Sequence, residues 1–312
     1  MKMNYLPQLL NGLALGIAVG ALTQTACGQI YVANIGTSAL LQYNFDGTLA
    51  NPTLLTGLNH PDGIAFAGGN IYVANSGSRM IAEYTAAGVA VNTNLVGTLN
   101  SSLRGLVVSG GSLYVAENQA TVNVIGKYNA ASGAAVNSAL VTGLGGPIGL
   151  ALSGPNLYVA NSTSGTIGEY DASTGAAINA SLISGLNSPF GLAISGNDLY
   201  VVNQSAGTIG VYDAISGAAI NATLVSGLSL PTTLALSGGN LFVVNQTGGT
   251  VGEYNATTGA AINKQFITGL STPTFIDIEN PVSAPEPSTF CLLTGVGLLG
   301  LALRGRFRPH LA

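Results

Sequence analysis

Between residues 29 and 280 the β-branched and aromatic residues fall in runs of four to seven, bounded by Gly, Asn, Asp and Ser. The clearest copy of the pattern reads NLYVANSTSGTIGEYDASTGAAINASLISGLNSPFGLAISG, from Asn156 to Gly196. An aromatic anchor recurs as Tyr31, Tyr72, Tyr114, Tyr158, Tyr200 and Phe242, at spacings of 41, 42, 44, 42 and 42 residues. A second anchor, Tyr43, Tyr84, Tyr128, Tyr170, Tyr212 and Tyr254, keeps step with it. Each repeat divides at its turns into four strands, as in GLAISG, LYVVN, TIGVYDA and NATLVSGL around Phe190 and the residues that follow it. Four short antiparallel strands in one repeat make a propeller blade.

The first repeat begins at its second strand, and the last is followed by a spare first strand, Thr274 to Glu279. The pattern therefore predicts an all-β, six-bladed β-propeller over residues 29–280, closed by a C-terminal inner strand that completes the first blade. Closure leaves fewer unpaired sheet edges than the alternative, an open β-solenoid.

Outside the repeats the pattern changes. Residues 1–28 hold Lys2, an apolar run and small residues at Ala26 and Gly28, the layout of a cleaved signal peptide. Cys27 also admits lipoprotein processing, although Gln24 stands where that signal wants an aliphatic residue. Residues 281–289 are a proline-rich linker, 290–303 an apolar segment expected to form a transmembrane sorting helix, and 304–312 a basic cytoplasmic tail. Fourteen apolar residues fall short of the ~20 of a stable span, which suits a temporary anchor. The expected architecture is thus a propeller flanked by terminal apolar helices.

Only 6% of residues are charged. From Gln29 to Asn280, eleven carboxylates stand against Arg79, Arg104, Lys127 and Lys264, a net charge near −7. Such a surface excludes nucleic acid as a partner. Both cysteines lie in the terminal segments, so no disulfide holds the repeats together.

Eleven of twelve tyrosines fall in the two anchor columns, which assigns them to packing between blades. The column Asn34, Asn75, Asn161, Asn203 and Asn245, with Glu117 in the third blade, reads as turn-forming amides. Its functional version is a ring around the channel, with Asn75 and Asn161 able to meet sugar hydroxyls. One column refuses to repeat: Asp62, Arg104, Ile148, Phe190, Thr232 and Thr274. It precedes each inner strand, where loops at a propeller mouth bind ligands, and it supplies the candidate ligand-binding residues. His60 is the single histidine of the repeat region, so acid–base chemistry is poorly provided for.

Pro285, Glu286 and Pro287, then the apolar segment, then Arg304, Arg306 and Arg308, resemble the PEP-CTERM sorting signal of exported proteins in exopolysaccharide-producing bacteria. That resemblance implies signal peptidase and an exosortase as processing partners, transient inner-membrane anchoring, and delivery to the cell surface or extracellular matrix. Extracellular polysaccharide or surface proteins are the partners expected there. The repeats resemble NHL-type six-bladed propellers, with Pro-x-Gly, aliphatics, a turn and Tyr-Val-Ala before a polar residue. Asn replaces the Asp often found after Tyr-Val-Ala, which removes charge from any inherited site. The function expected is a noncatalytic binding or scaffold protein without cofactor. The alternative is a divalent-cation-dependent hydrolase or lyase of the lactonase-like type, with calcium held by Asp62, Glu117 and Asp277.

Overall fold

The strand LYVVN shows why these repeats must stack. Leu199, Val201 and Val202 are fully buried and Tyr200 nearly so, so this strand hides both faces at once. A single sheet can cover only one of them, and a neighbouring blade on each side covers both. In the computed structural model, which describes residues 28–279 except 98, 100 and 120, that is the arrangement found. Six four-stranded antiparallel sheets stand around an axis. Their innermost strands are Pro61–Ala67, Ser102–Ser109, Pro147–Ser153, Pro189–Ser195, Pro231–Ser237 and Pro273–Glu279. Each packs on the next and the last on the first. Blades are numbered here from the one that holds Tyr31.

The core is six separate clusters, one in each gap between blades. Between blades 2 and 3, for example, Tyr72, Ile81 and Leu95 meet Leu103, Leu113 and Tyr128. Between blades 6 and 1, Phe242, Val244 and Ile267 meet Ile30, Val32 and Ile276. Each fully buried Ile, Leu or Val contributes roughly 1.5–3 kcal/mol.

Blade 1 takes its innermost strand from the other end of the chain. Gln29–Asn34 pairs with Pro273–Glu279 in antiparallel register, Val32 opposite Ile276 and Gln29 opposite Glu279. The Tyr31 hydroxyl donates to Glu279 Oε2 at 3.1 Å across the same seam. Burial and the Glu279 charge push the Tyr31 hydroxyl well above the usual tyrosine range.

The outermost strands end the burial. In blade 5, Ala219–Val225 exposes its first five residues and buries only Leu224 and Val225. Its register with the third strand jumps between Val211 and Ile209, a bulge held by Asn221, whose Oδ1 accepts the Thr223 amide at 3.1 Å. Asn51, Asn92, Asn137, Asn179 and Asn263 do the same in the other blades. Six bulges on six edges blunt the rims against edge-to-edge pairing.

The described residues hold no α-helix, and none of their elements is long and apolar enough to cross a membrane. The signal segment with Cys27, the linker, the apolar segment at 290–303 and the sorting motif Pro285, Glu286, Pro287, Arg304, Arg306 and Arg308 all lie outside the described residues.

Candidate functional site

Five innermost strands open on proline, at 61, 147, 189, 231 and 273, while blade 3 opens on Ser102 and Leu103. Proline suits this place because the strand's inner edge faces the channel rather than a partner strand. The non-repeating column follows at the next station. It belongs to the strands themselves, not to an exposed loop. Asp62, Ile148, Thr232 and Thr274 are buried, while Arg104 and Phe190 are half-buried. The expectation of a variable, solvent-facing mouth is corrected accordingly.

Close approach of neighbouring blades explains the burial. A Cβ on Gly63 would strike the carbonyl oxygen of Arg104, and one on Gly149 the carbonyl of Phe190. Blade 6 carries Thr233 instead of glycine, and its hydroxyl donates to the Thr274 carbonyl at 3.0 Å while accepting the Ile276 amide at 3.2 Å. The Thr274 hydroxyl in turn donates to the Pro61 carbonyl at 3.3 Å. Threonine hydroxyls thus tie blade 6 to blade 1 and blade 1 to blade 2 through backbone groups.

Charge enters the ring once. Arg104 Nη1 lies 2.7 Å from Asp62 Oδ2. Burial raises the Asp62 carboxyl, and Arg104, with His60 beyond it, offsets part of that rise. Arg104 Nε and, three blades away across the axis, Thr232 Oγ1 are buried without a hydrogen-bond partner. Phe190 packs against the core between blades 5 and 6 and also against that between blades 1 and 2. Its ring therefore crosses the axis and stoppers the channel near this end.

Below the ring lies a cavity of about 290 Å³ walled mainly by Leu106, Leu150, Leu192, Leu234 and Ile276. Asp277 brings the one carboxylate to that wall, at the station where other blades have Ala65, Val107, Ala151, Ala193 and Ala235. Its Oδ2 accepts the Phe66 amide and its Oδ1 the Ile278 amide, both at 2.8 Å. Burial pushes the Asp277 carboxyl up to about 6, with the two amides pulling against it.

The cation set Asp62, Glu117 and Asp277 is not assembled. Asp62 and Asp277 stand three stations apart on adjacent strands, ~10 Å along the axis. Glu117 is buried and held within blade 3, accepting the Ser101 hydroxyl at 2.7 Å and the Tyr128 hydroxyl at 3.3 Å. Among the described residues no three His, Cys, Asp or Glu side chains converge to hold a metal. His60 is exposed on the loop before Pro61, in a left-handed conformation at φ 54°.

Three members of the asparagine column bind backbone, as turn-forming amides do. Asn75 Oδ1 accepts the Asn59 amide at 3.1 Å, Asn34 that of Ser271 at 3.0 Å and Asn245 that of Ser229 at 3.3 Å. These side chains pin the loop that leads into the innermost strand, and Glu117 does so in blade 3 through Ser101. Asn161 is buried at the same station, its amide oxygen meeting no donor. Neither Asn75 nor Asn161 lines the channel cavity.

A column the sequence reading passed over lies on the third strands. Glu83, Glu169 and Glu253 each accept an asparagine amide, from Asn70 at 2.6 Å, Asn156 at 2.7 Å and Asn240 at 2.7 Å. Tyr72 and Tyr158 add their hydroxyls to the first two at 3.2 Å. The signal was present as the repeated GEY of blades 4 and 6, and Lys127 breaks it in blade 3.

With this geometry in hand, the PQQ_2 family, described as outer membrane protein assembly factor BamB, matches residues 53–265. The chain belongs to that family. PQQ_2 membership covers blades 2 to 6 almost entirely. No curated protein matches the chain. Among solved structures, one from the crystal structure of the nidogen/laminin complex is 14% identical, covering 81% of this chain and 99% of that chain with a TM-score of 0.69. A computationally designed protein, Ika8, is 16% identical over 80% of this chain and 75% of its own, with a TM-score of 0.52. At such identities the likeness concerns the fold.

Proposed function

We propose that this chain is a noncatalytic binding or scaffold propeller of the bacterial envelope, exported by its N-terminal segment and sorted and processed through its PEP-CTERM-like C-terminus. The observation that carries the binding half is the inner wall: one Arg–Asp ion pair and one lone carboxylate in an apolar, closed ring, with no second carboxylate or histidine beside Asp277 to complete an acid–base pair. General acid–base chemistry needs both groups within hydrogen-bond reach of one substrate. Asp277 and Glu117 lie apart from each other and from Asp62, which is paired with Arg104 and has His60 on the exposed loop before it, and this scatter weighs against the lactonase-like alternative. The matching family's description, an outer membrane assembly factor, and a neighbour's place in the nidogen/laminin complex favour a role in holding other molecules. NHL-type kinship stays an inference from the Pro-x-Gly and Tyr-Val-Ala spacing.

The sorting half is tested by the mass of the protein recovered from the surface of a producing cell. Processing gives a chain that begins near Gly28 and ends near Pro285–Pro287. An intact segment 290–303 in surface or matrix material would refute it.

A further inference from the structure

The gap between blades 3 and 4 breaks the repeat in two matched places. Where blades 2, 4 and 6 pair an asparagine with a glutamate, blade 3 has Ser112 and Lys127. Register fixes the equivalence, since Lys127 stands opposite Tyr114 as Glu83 stands opposite Tyr72. One partner has shortened and the other has changed sign.

Lys127 is half-buried and its charge is not balanced. Nζ donates to the Ala172 carbonyl at 3.1 Å and sits 5.3 Å from the centroid of the Tyr114 ring. The Tyr114 hydroxyl donates to the same carbonyl at 2.9 Å. An ammonium has three donors, so this arrangement leaves capacity unused. The ion pair found among the described residues joins Arg104 and Asp62, and no carboxylate lies within ion-pair distance of Lys127. A cation with no carboxylate beside it can take an anion from outside, by a charge-assisted hydrogen bond local enough to act against the chain's negative net charge.

A cavity of about 250 Å³ lies at these same positions. Lys127, Ser109, Ser112 and Ser173 give it polar walls, and Leu152 and Pro155 an apolar one. Ser173 donates its hydroxyl hydrogen to Asp171 at 2.6 Å, which leaves its oxygen free to accept. Its volume is below the ~300 Å³ where drug-sized sites begin, and suits one small acid or sugar residue. Phosphate sites are built from converging backbone amides or arginine forks. Here the walls offer hydroxyls, one ammonium and an apolar face, which match the hydroxyls, carboxylate and C–H face of an acidic sugar.

We propose that the cavity between blades 3 and 4 binds a uronate-type sugar, its carboxylate on Lys127 Nζ and its hydroxyls on Ser109, Ser112 and Ser173. This deepens the binding reading by naming a ligand class. It does not depend on the export route, so the mature-mass measurement and the titration below fail separately.

The test titrates the purified full-length protein with glucuronate, glucose and inorganic phosphate by calorimetry. Glucuronate binds, and glucose binds at least about tenfold more weakly, the effect of losing roughly one charged hydrogen bond. Lys127→Gln weakens glucuronate by a similar factor. The double variant Ser112→Asn/Lys127→Glu copies the pair of blade 2, so it keeps the wild-type melting transition and loses glucuronate binding altogether. Equal affinity for glucose and glucuronate, phosphate binding as tight as glucuronate, or undiminished glucuronate binding by the folded double variant would each overturn the assignment.

Discussion

Arg104 and Asp62 join two blades through a 2.7 Å ion pair whose acid is buried and whose base is 36% exposed along its side chain. Removing the base alone strands a buried carboxylate. Arg104→Ala is therefore expected to lower stability by about 3 kcal/mol at pH 7, while Asp62→Asn/Arg104→Met, which leaves no charge behind, loses distinctly less. The deficit of Arg104→Ala shrinks as the solution is acidified, because a protonated Asp62 needs no cation. Urea melts at pH 7 and pH 4 check both statements, and a double variant as unstable as the single one would contradict the pairing.

Gly149 and Gly196 separate two uses of glycine. At Gly149 a methyl group would run into the Phe190 carbonyl on the next blade, whereas Gly196, at φ 59°, has open space around it. Gly149→Ala forces two innermost strands apart and is expected to cost about 3 kcal/mol. Gly196→Ala meets only the left-handed backbone penalty of about 1 kcal/mol. Thermal melts rank the two, and the reverse order would mean that the strands around the axis yield easily.

The seam between Gln29–Asn34 and Pro273–Glu279 makes the ring's closure a matter of seven residues. Ending the chain after Thr272 exposes Ile30, Val32 and Phe242, all buried against that strand's blade. Such a chain is expected to lose its cooperative transition and bind a hydrophobic dye. Ending it after Glu279 keeps the seam and should leave the melting temperature within a few degrees of the full chain. A cooperative melt in the shorter variant would show that blade 1 closes without its C-terminal strand.

The blades, their four strands and the spare strand for blade 1 were legible because each feature is written six times, and a period survives any single irregular position. Interactions between blades were not legible. Thr233 reaches the Thr274 carbonyl, and Asp277 the Phe66 amide, over 41 and 211 residues. No local pattern encodes such pairs. The asparagine column reads as backbone ligands, but the amides held lie in another strand connection, 16 residues earlier for Asn75 and Asn245 and 237 residues later for Asn34. Lys127 could have been singled out by aligning the repeats and asking where a column changes sign. The column that varies most, Asp62 to Thr274, is instead packed strand.

Asp277 gives the fold a signature in pH. Its carboxyl is raised to about 6, mainly by burial, against the ~3.9 of an unfolded aspartate. Because the folded value is the higher one, the protonated acid is favoured in the fold. Its contribution is fully present below about pH 4 and is lost as pH rises through 6, a difference of up to about 3 kcal/mol. Asp62 moves in the same direction through burial. Asp46, Asp171 and Asp213 act oppositely, since hydrogen bonds from Thr48, Ser173 and Ser216 lead the causes that lower them. The whole-protein profile mixes these effects, so the variant Asp277→Asn isolates one. Its side-chain oxygen can still accept the Phe66 amide but carries no charge at any pH. The variant is expected to be more stable than the wild type at pH 7.5 and to approach it at pH 4. Denaturant titrations across that range read the difference, and parallel curves for the two proteins would show that the channel carboxylate sits in water like any other.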